Sequence, residues 1–202
     1  MSQETDNQPS QPQVDPTLLD PTSEALTIRN QAIDEVLDPD STLPQVTFVD
    51  RYERDPRVNQ TSGRDSHNYA VLNEDGTEVG YARIGVPYGR AAERAGATAY
   101  VDKIDITGDG KGQDFRGRGY GKAIYREVLK GLPVGIELTC DSSVSPDALK
   151  MWRWLESRGL ASRPDGTEEP VPGPKGVYEN LGYKTNLAEL ADFAASKKAG
   201  QS

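Results

Sequence analysis

Residues 116–121 have the sequence Arg-Gly-Arg-Gly-Tyr-Gly, and they stand where a predicted strand, 99–106, is followed by a predicted helix, 120–130. Glycines at the start of a helix let several backbone N–H groups point at a bound anion, because no Cβ blocks its approach. The helix dipole adds positive potential at this end, and the two arginines of the stretch together with Lys122 add countercharge. The stretch therefore predicts a loop that binds a diphosphate.

Other phosphate or metal loops fit these residues less well. A Walker-type loop needs glycine and Ser or Thr where this chain has Arg116 and Ala123. A Rossmann fingerprint needs a parallel βαβ start, and the predicted hairpin at 69–84 argues against one. Residues 105–110 are similar to part of a calcium loop, but Arg116 occupies the position of the bidentate glutamate, so no metal is expected. A flexible turn without a ligand stays open as an alternative.

The elements around the loop predict a mixed α/β domain. Asp75 and Gly76 are expected to supply the positive φ angles of a tight hairpin turn. Ser145 as N-cap, Pro146 at the first helical position and Gly159 as terminator delimit a helix. The predicted strands are 46–52, 69–72, 79–84, 99–106 and 134–140, and the predicted helices are 23–37, 120–130, 146–159 and 187–198.

Charge is concentrated in the first part of the chain. Nine acids and one arginine give residues 1–44 a net charge of −8, so the rest of the chain, whose total is −9, is close to neutral. The body has no basic excess that would indicate nucleic-acid binding. We expect a disordered acidic leader at 1–21, a helix and linker at 22–44, the folded domain at 45–186, and a C-terminal helix and tail at 187–202.

Composition also predicts the compartment. No apolar run approaches the roughly 20 residues that span a bilayer, and the N-terminus lacks the basic start and apolar block of a signal peptide. The single cysteine, Cys140, excludes a disulfide within the chain, which suits a reducing compartment. A cytoplasmic protein is expected, with Cys140 as a buried structural thiol. His67 is expected to be solvated in a polar turn.

The loop resembles a known motif. Arg116-x-x-Gly119-x-Gly121 is similar to the Arg/Gln-x-x-Gly-x-Gly/Ala motif of the GNAT superfamily of N-acetyltransferases, which binds the pyrophosphate of acetyl-CoA. The similarity extends over about 45–183, because the strands and helices follow the family's order. It implies a GNAT-like α/β (α+β) fold, with a mixed central sheet flanked by helices, and acetyl-CoA as the acyl donor. The implied cofactor-binding residues are Ile104, Ile106, Arg116, Gly117, Arg118, Gly119, Tyr120, Gly121 and Lys122.

The same resemblance implies a mechanism. Two parallel strands of the family splay apart, and the pantetheine arm lies in the gap, which here would separate 99–106 from 134–140. Backbone between Ile104 and Ile106 would hold the acetyl carbonyl. An amine would attack the thioester directly, without a covalent enzyme intermediate, while a carboxylate acting through water removes its proton and a tyrosine protonates the leaving thiolate.

The acid and base candidates follow from that scheme. Carboxylates on the central strands are Asp102, Asp105 and Glu137, of which the last two are retained as candidate bases. Tyr178 is the candidate acid, because 177–183 resembles the family's terminal Tyr-Glu-x-Leu-Gly-Phe signature. In an alternative register, the helix at 148–159 is the family's fourth helix, with Trp152 in the tyrosine position; Tyr178 then lies in a late strand and only packs. Trp152 and Trp154 are expected to be core and groove-lining residues.

The sequence also departs from the family pattern. Residues 53–66 are too short and polar for the two helices that usually follow the first strand, and the loop 107–115 is long. Two functions are therefore carried forward: an N-acetyltransferase with an unidentified amine acceptor, and a GNAT-like non-catalytic binding or structural module that acts through protein partners. The acidic leader favours a protein partner in either case. A ligand-free adaptor is a third hypothesis.

Overall fold

The computed structural model describes residues 21–51, 64–87, 96–107, 114–164, 169–173 and 175–190. The disordered leader proposed for 1–21 falls outside these ranges except for Pro21, and the C-terminal helix does so beyond residue 190. Residues 187–190 are helical. The helices are α1 (Pro21–Leu37), α2 (Tyr120–Gly131) and α3 (Pro146–Ser157), and the strands are β1 (Thr47–Asp50), β2 (Arg64–Leu72), β3 (Glu78–Pro87), β4 (Thr98–Ile106), β5 (Glu137–Thr139), β6 (Ser143–Val144), β7 (Ala161–Ser162), β8 (Tyr178–Glu179) and β9 (Lys184–Thr185).

One mixed sheet organises the described part of the chain. Seven strands lie in the order β1-β2-β3-β4-β5-β9-β7, and β6 pairs with β8 in a separate two-stranded sheet. β4 and β5 are parallel, and the other neighbours in both sheets are antiparallel. Helices flank the seven-stranded sheet, so the predicted fold class is confirmed.

The hairpin between β2 and β3 has a five-residue loop rather than a two-residue turn. Gly76 has φ 75°, while Asp75 is not among the residues with positive φ, so the expectation for Asp75 is wrong. The reason is the Asn73 side chain, whose Oδ1 accepts from the N–H of Asp75 at 3.1 Å and of Thr77 at 2.8 Å. These two local hydrogen bonds hold the loop in shape, so only Gly76 needs the left-handed region of backbone φ and ψ angles.

His67 lies in strand β2 and not in a polar turn, which corrects the sequence prediction. Its side chain is 28% exposed, with Nδ1 3.5 Å from the Asp50 carboxylate and the ring stacked on Tyr69 at 5.9 Å. The strand begins at Arg64, earlier than its polar sequence predicted, because the apolar strand β3 offers backbone partners as far as Pro87. Pairing with a neighbour overrides weak strand propensity.

Helices α2 and α3 bury their apolar faces in the core. The Ser145 hydroxyl accepts from the Ala148 N–H at 3.2 Å, and Gly159 takes φ 72°, so the predicted start and end of α3 are confirmed. Trp152 is 2% exposed and stacks on Tyr183, with ring centroids 5.6 Å apart. Trp152 is therefore a core residue, as expected.

Helix α1 is held against the carboxyl end of α2 by buried hydrogen bonds and an ion pair. The Arg29 side chain is buried, and its Nη2 donates to the carbonyl oxygens of Lys130 at 2.9 Å and Leu132 at 2.7 Å. These carbonyls lie at the end of the helix, where no N–H donor of the helix itself is left to pair with them, so a cation here is favourable. The buried pair of Arg126 with Asp38, at 2.6 Å, adds a second link. The helix predicted at 23–37 thus docks on the body.

Candidate functional site

The parallel strands β4 and β5 diverge after a short pairing. Their register joins Thr98 to Glu137, Ala99 to Leu138 and Tyr100 to Thr139. β4 continues to Ile106, whereas the chain after β5 turns toward β9, since the Cys140 N–H donates to the Tyr183 carbonyl at 3.0 Å. Among the described residues, the pairing of β4 with β5 therefore ends at Tyr100 and Thr139.

A bulge in β4 lies just beyond this divergence. Arg83 pairs with Lys103 and Ile84 pairs with Val101, so Asp102 is the extra residue. Bulges bend a strand and re-aim its backbone, and they are frequent beside functional sites. The Asp102 carboxylate is tied to Arg83 in an ion pair. The sequence carries no signal of this bulge, because the strand contains no glycine or proline.

The glycine loop, 116–121, leads into α2, which begins at Tyr120. Gly117 has φ 74° and Gly119 has φ 88°, backbone angles that residues with a side chain rarely adopt. Gly119 is the N-cap and supplies no side-chain hydrogen bond to the first turn. The first N–H groups of a helix have no acceptor within it, so those that follow Gly119 are suited to an anion.

A segment before the domain packs against this loop. A Cβ added to Gly119 would lie 3.2 Å from Pro44 Cδ and 3.6 Å from Leu43 Cδ2. Asp38 fixes the same segment, since its Oδ1 accepts from the N–H groups of Thr42 at 2.6 Å and Leu43 at 3.0 Å. The linker of α1 is thus part of the wall around the loop, a contact that no local sequence signal predicted.

Arg116 is exposed and paired with Asp114. Its Nη2 lies 2.7 Å from Asp114 Oδ2, and 76% of its side chain is exposed. Hydrogen bonds from Arg116 are the main reason that the pKa of Asp114 falls to about 2. The pKa of Arg116 rises, chiefly through its hydrogen bond with Asp114, and the charge of Asp105 adds a smaller contribution.

The other cations of the loop lie over aromatic rings. The guanidinium of Arg118 is 5.7 Å from the centroid of Phe115, and the Lys122 ammonium is 5.2 Å from that of Trp154. Phe115 is buried and meets the edge of Tyr120 at 5.6 Å. These contacts orient both cations and anchor the loop through Phe115.

The Glu137 side chain binds the first N–H groups of the helical segment 187–190. It is 9% exposed, and its carboxylate accepts from the Thr185 hydroxyl at 2.5 Å and from the N–H groups of Leu187 at 2.9 Å and Ala188 at 3.0 Å. Its charge also opposes the lowering of the Arg29 pKa that burial causes. Glu137 pairs with Thr98 at the far end of β4, about 26 Å from Ile106 at 3.3 Å per residue. The structure therefore does not bring Glu137 together with Asp105.

The two remaining acid and base candidates lie in different elements. Asp105 is on β4, with its carboxylate 3.5 Å from the Lys103 ammonium, and 43% of its side chain is exposed. Tyr178 is half-buried in β8, where it pairs with Val144. Tyr178 therefore lies in a late strand, as it does in the alternative register that puts Trp152 in the tyrosine position.

Cys140 is half-buried at the end of β5. Burial raises the pKa of its thiol above the ordinary value, against smaller opposing effects of backbone hydrogen bonds. The thiol is therefore protonated at neutral pH, which makes it a poor nucleophile.

Within the described ranges, no group of three or more His, Cys, Asp or Glu side chains is placed to hold a metal ion. No helix among the same residues is long and apolar enough to cross a membrane.

Comparisons with known proteins find similarity among solved structures. No family model matches the chain, and no curated protein matches it. Among solved structures, the chain is similar to a GCN5-related N-acetyltransferase from Kribbella flavida, with 18% sequence identity over 81% of this chain and 92% of that chain, and a TM-score of 0.36.

Proposed function

We propose that the chain is an acetyl-CoA-dependent N-acetyltransferase, in which the loop 116–121 binds the diphosphate of the cofactor. The observation that carries this proposal is the position of the loop. The loop follows β4 in the chain after residues 107–115, and the Arg116 pKa, raised mainly by its hydrogen bond to Asp114, is also raised by the charge of Asp105 on β4. Among the described residues, β4 pairs with β5 only as far as Tyr100. An anion site at the loop and an unpaired edge of β4 would then lie close together, as a long ligand with a diphosphate at one end and an amide-containing arm requires.

The residues of the loop fit a diphosphate. A Cβ at Gly117 would meet nothing within 4 Å, so there is open space on that side of the loop. The N–H groups of the first turn of α2 and the exposed guanidinium of Arg116 supply donors and charge. Arg118 and Lys122, held over aromatic rings, add to the positive potential. Gly119, Tyr120 and Gly121 provide the backbone that approaches the ligand.

The open edge of β4 fits the pantetheine arm. An unpaired strand edge presents alternating N–H and C=O groups, which an extended ligand pairs with as an added strand does. Backbone between Ile104 and Ile106 would bind the ligand in this way. A backbone N–H near the bulge at Asp102 would face the thioester carbonyl and stabilise its developing charge.

Proton transfer requires two side chains of this chain. Acetyl-CoA supplies the thioester, and the acceptor amine attacks its carbonyl carbon. Asp105, at the loop end of β4, is the proposed base through water, and Tyr178 is the proposed acid. Glu137 stays a prediction as a base, and its three hydrogen bonds favour a structural role instead.

Replacing Tyr178 with phenylalanine tests the acid. If Tyr178 protonates the leaving thiolate, kcat should fall about 100-fold while the KM for acetyl-CoA changes little, because the ring stays in place. Release of free CoA thiol is measured with a panel of amines. Tyr183→Phe is the matched control, since it loses only a hydrogen bond to Glu156, and it should keep the wild-type kcat. An unchanged kcat in Tyr178→Phe would leave the tyrosine as a packing residue.

A second function is a GNAT-like binding or structural module without turnover, acting through protein partners. The observation that favours it is the state of the candidate bases. Glu137 is occupied by hydrogen bonds, and Asp105 lies 3.5 Å from Lys103. The same assay separates the two functions, because the module would bind acetyl-CoA and release no CoA with any amine.

A further inference from the structure

Asp114 occupies the donors of Arg116 that an anionic ligand needs. Its Oδ1 accepts from the Arg116 backbone N–H at 2.9 Å and from Nε at 3.0 Å, and its Oδ2 accepts from Nε at 3.0 Å and Nη2 at 2.7 Å. The carboxylate is thus bound in the two-pronged manner in which a guanidinium binds a phosphate. A ligand phosphate and the Asp114 carboxylate cannot use these donors together.

The pair is accessible and open to exchange. The side chains of Arg116 and Asp114 are 76% and 53% exposed. Exposed ion pairs contribute little to stability, since water screens them, so a more highly charged anion can displace the carboxylate. After displacement, Asp114 would remain close to the anion, because it lies two positions before Arg116 in the chain, and its negative charge would repel the anion.

We propose that Asp114 is an intramolecular competitor for Arg116 and thereby sets the affinity of the loop for the diphosphate of the cofactor. This inference rests on the proposed function, because it takes that diphosphate as the ligand. Asp114 would then determine the affinity of the loop although it lies outside the motif 116–121. Its signal in the sequence is an aspartate two residues before the motif arginine, the spacing of a side chain that bonds the backbone N–H two positions on.

A change of pH cannot release the competitor. The pKa of Asp114 is lowered to about 2, mainly by the hydrogen bonds from Arg116. The carboxylate is therefore charged over the whole range in which an enzyme is assayed, and substitution is needed to test it. The opposite role for Asp114 is to hold Arg116 ready for the ligand, and it predicts an effect of opposite sign.

Asp114→Asn separates these roles. The asparagine keeps an oxygen that accepts from the Arg116 N–H, so the turn is retained while the charge is removed. We expect this variant to bind CoA about fivefold more tightly than wild type at low ionic strength. Asp114→Ala, which also loses the turn, should gain less. Glu35→Gln is the control for net charge, because Glu35 is exposed on α1, and it should bind as wild type does.

Affinities are measured by calorimetry with CoA and with pantetheine, which lacks the phosphates. They are compared at about 0.01 M and about 1 M salt, where the Debye length is roughly 30 Å and roughly 3 Å. The gain should vanish at high salt and should be absent with pantetheine. Equal or weaker CoA binding by Asp114→Asn, beside a wild type that binds, would overturn the competitor role alone. Failure of every folded variant to bind CoA would overturn the proposed function and the inference together.

Discussion

Replacing Gly119 with alanine should weaken acetyl-CoA binding about 30-fold. Gly119 has φ 88° as the N-cap of α2, and the left-handed region costs a residue with a side chain about 1–2 kcal/mol. The new Cβ would also lie 3.2 Å from Pro44, so the loop or the linker must shift. Either movement displaces the N–H groups that follow Gly119 from the anion, and 2 kcal/mol corresponds to roughly a factor of 30 in affinity.

Gly131→Ala is the matched control for this substitution. Gly131 ends the same helix, its φ is not positive, and a Cβ there would meet nothing within 4 Å. Calorimetry should show wild-type affinity for this variant, with stability equal to or above wild type, since alanine favours helix. Wild-type affinity in Gly119→Ala would mean that the N-terminus of α2 does not contact the cofactor.

Replacing Asp38 with alanine should destabilise the fold by about 3 kcal/mol. Asp38 and Arg126 are 6% and 9% exposed and lie 2.6 Å apart, so removing this carboxylate takes away the buried partner of the guanidinium and leaves it only the more exposed carboxylates of Glu127, at 2.9 Å, and Asp34, at 3.8 Å. The linker also loses the acceptor for its Thr42 and Leu43 N–H groups. Thermal unfolding should shift down by roughly 6–12 °C, at about 2–4 °C per kcal/mol.

Two further variants define the cause of this loss. Asp34→Ala removes a carboxylate that is 45% exposed and bonds Lys130 at 3.0 Å, so it should cost less than about 1 kcal/mol. Asp38→Leu/Arg126→Met removes both buried charges, and it should be more stable than Asp38→Ala. If Asp38→Ala and Asp34→Ala unfold at the same temperature, the pair does not fasten α1 to the body.

Local signals predicted much of the fold, because several elements are delimited by their own residues. Ser145 with Pro146 begins α3 and Gly159 ends it, and the hydroxyl and the left-handed glycine act within one turn. The short strands β7 and β9 were not predicted, because a two-residue strand is defined by its partner and not by its sequence. The early start of β2 has the same origin.

In the candidate site too, features made by neighbouring residues could be predicted, whereas contacts between distant parts of the chain could not. The glycines and cations of 116–121 were found from sequence, because the motif is contiguous. The packing of Pro44 on Gly119 is a tertiary contact, and nothing near either residue signals it. Glu137 shows the reverse case. A carboxylate on a central strand suggests catalysis, but its partners Thr185, Leu187 and Ala188 lie far along the chain and become visible only in the fold.

The most direct test of the central claim is the binding of CoA and of pantetheine, measured by calorimetry on wild type and on Arg116→Ala/Gly119→Ala. If the loop 116–121 holds the diphosphate, wild type should bind CoA with micromolar affinity and the double variant should lose that binding. Pantetheine, which has no diphosphate, should bind both proteins with the same weak affinity. A folded wild type that does not bind CoA, or a double variant that binds CoA as tightly as wild type, would contradict the claim.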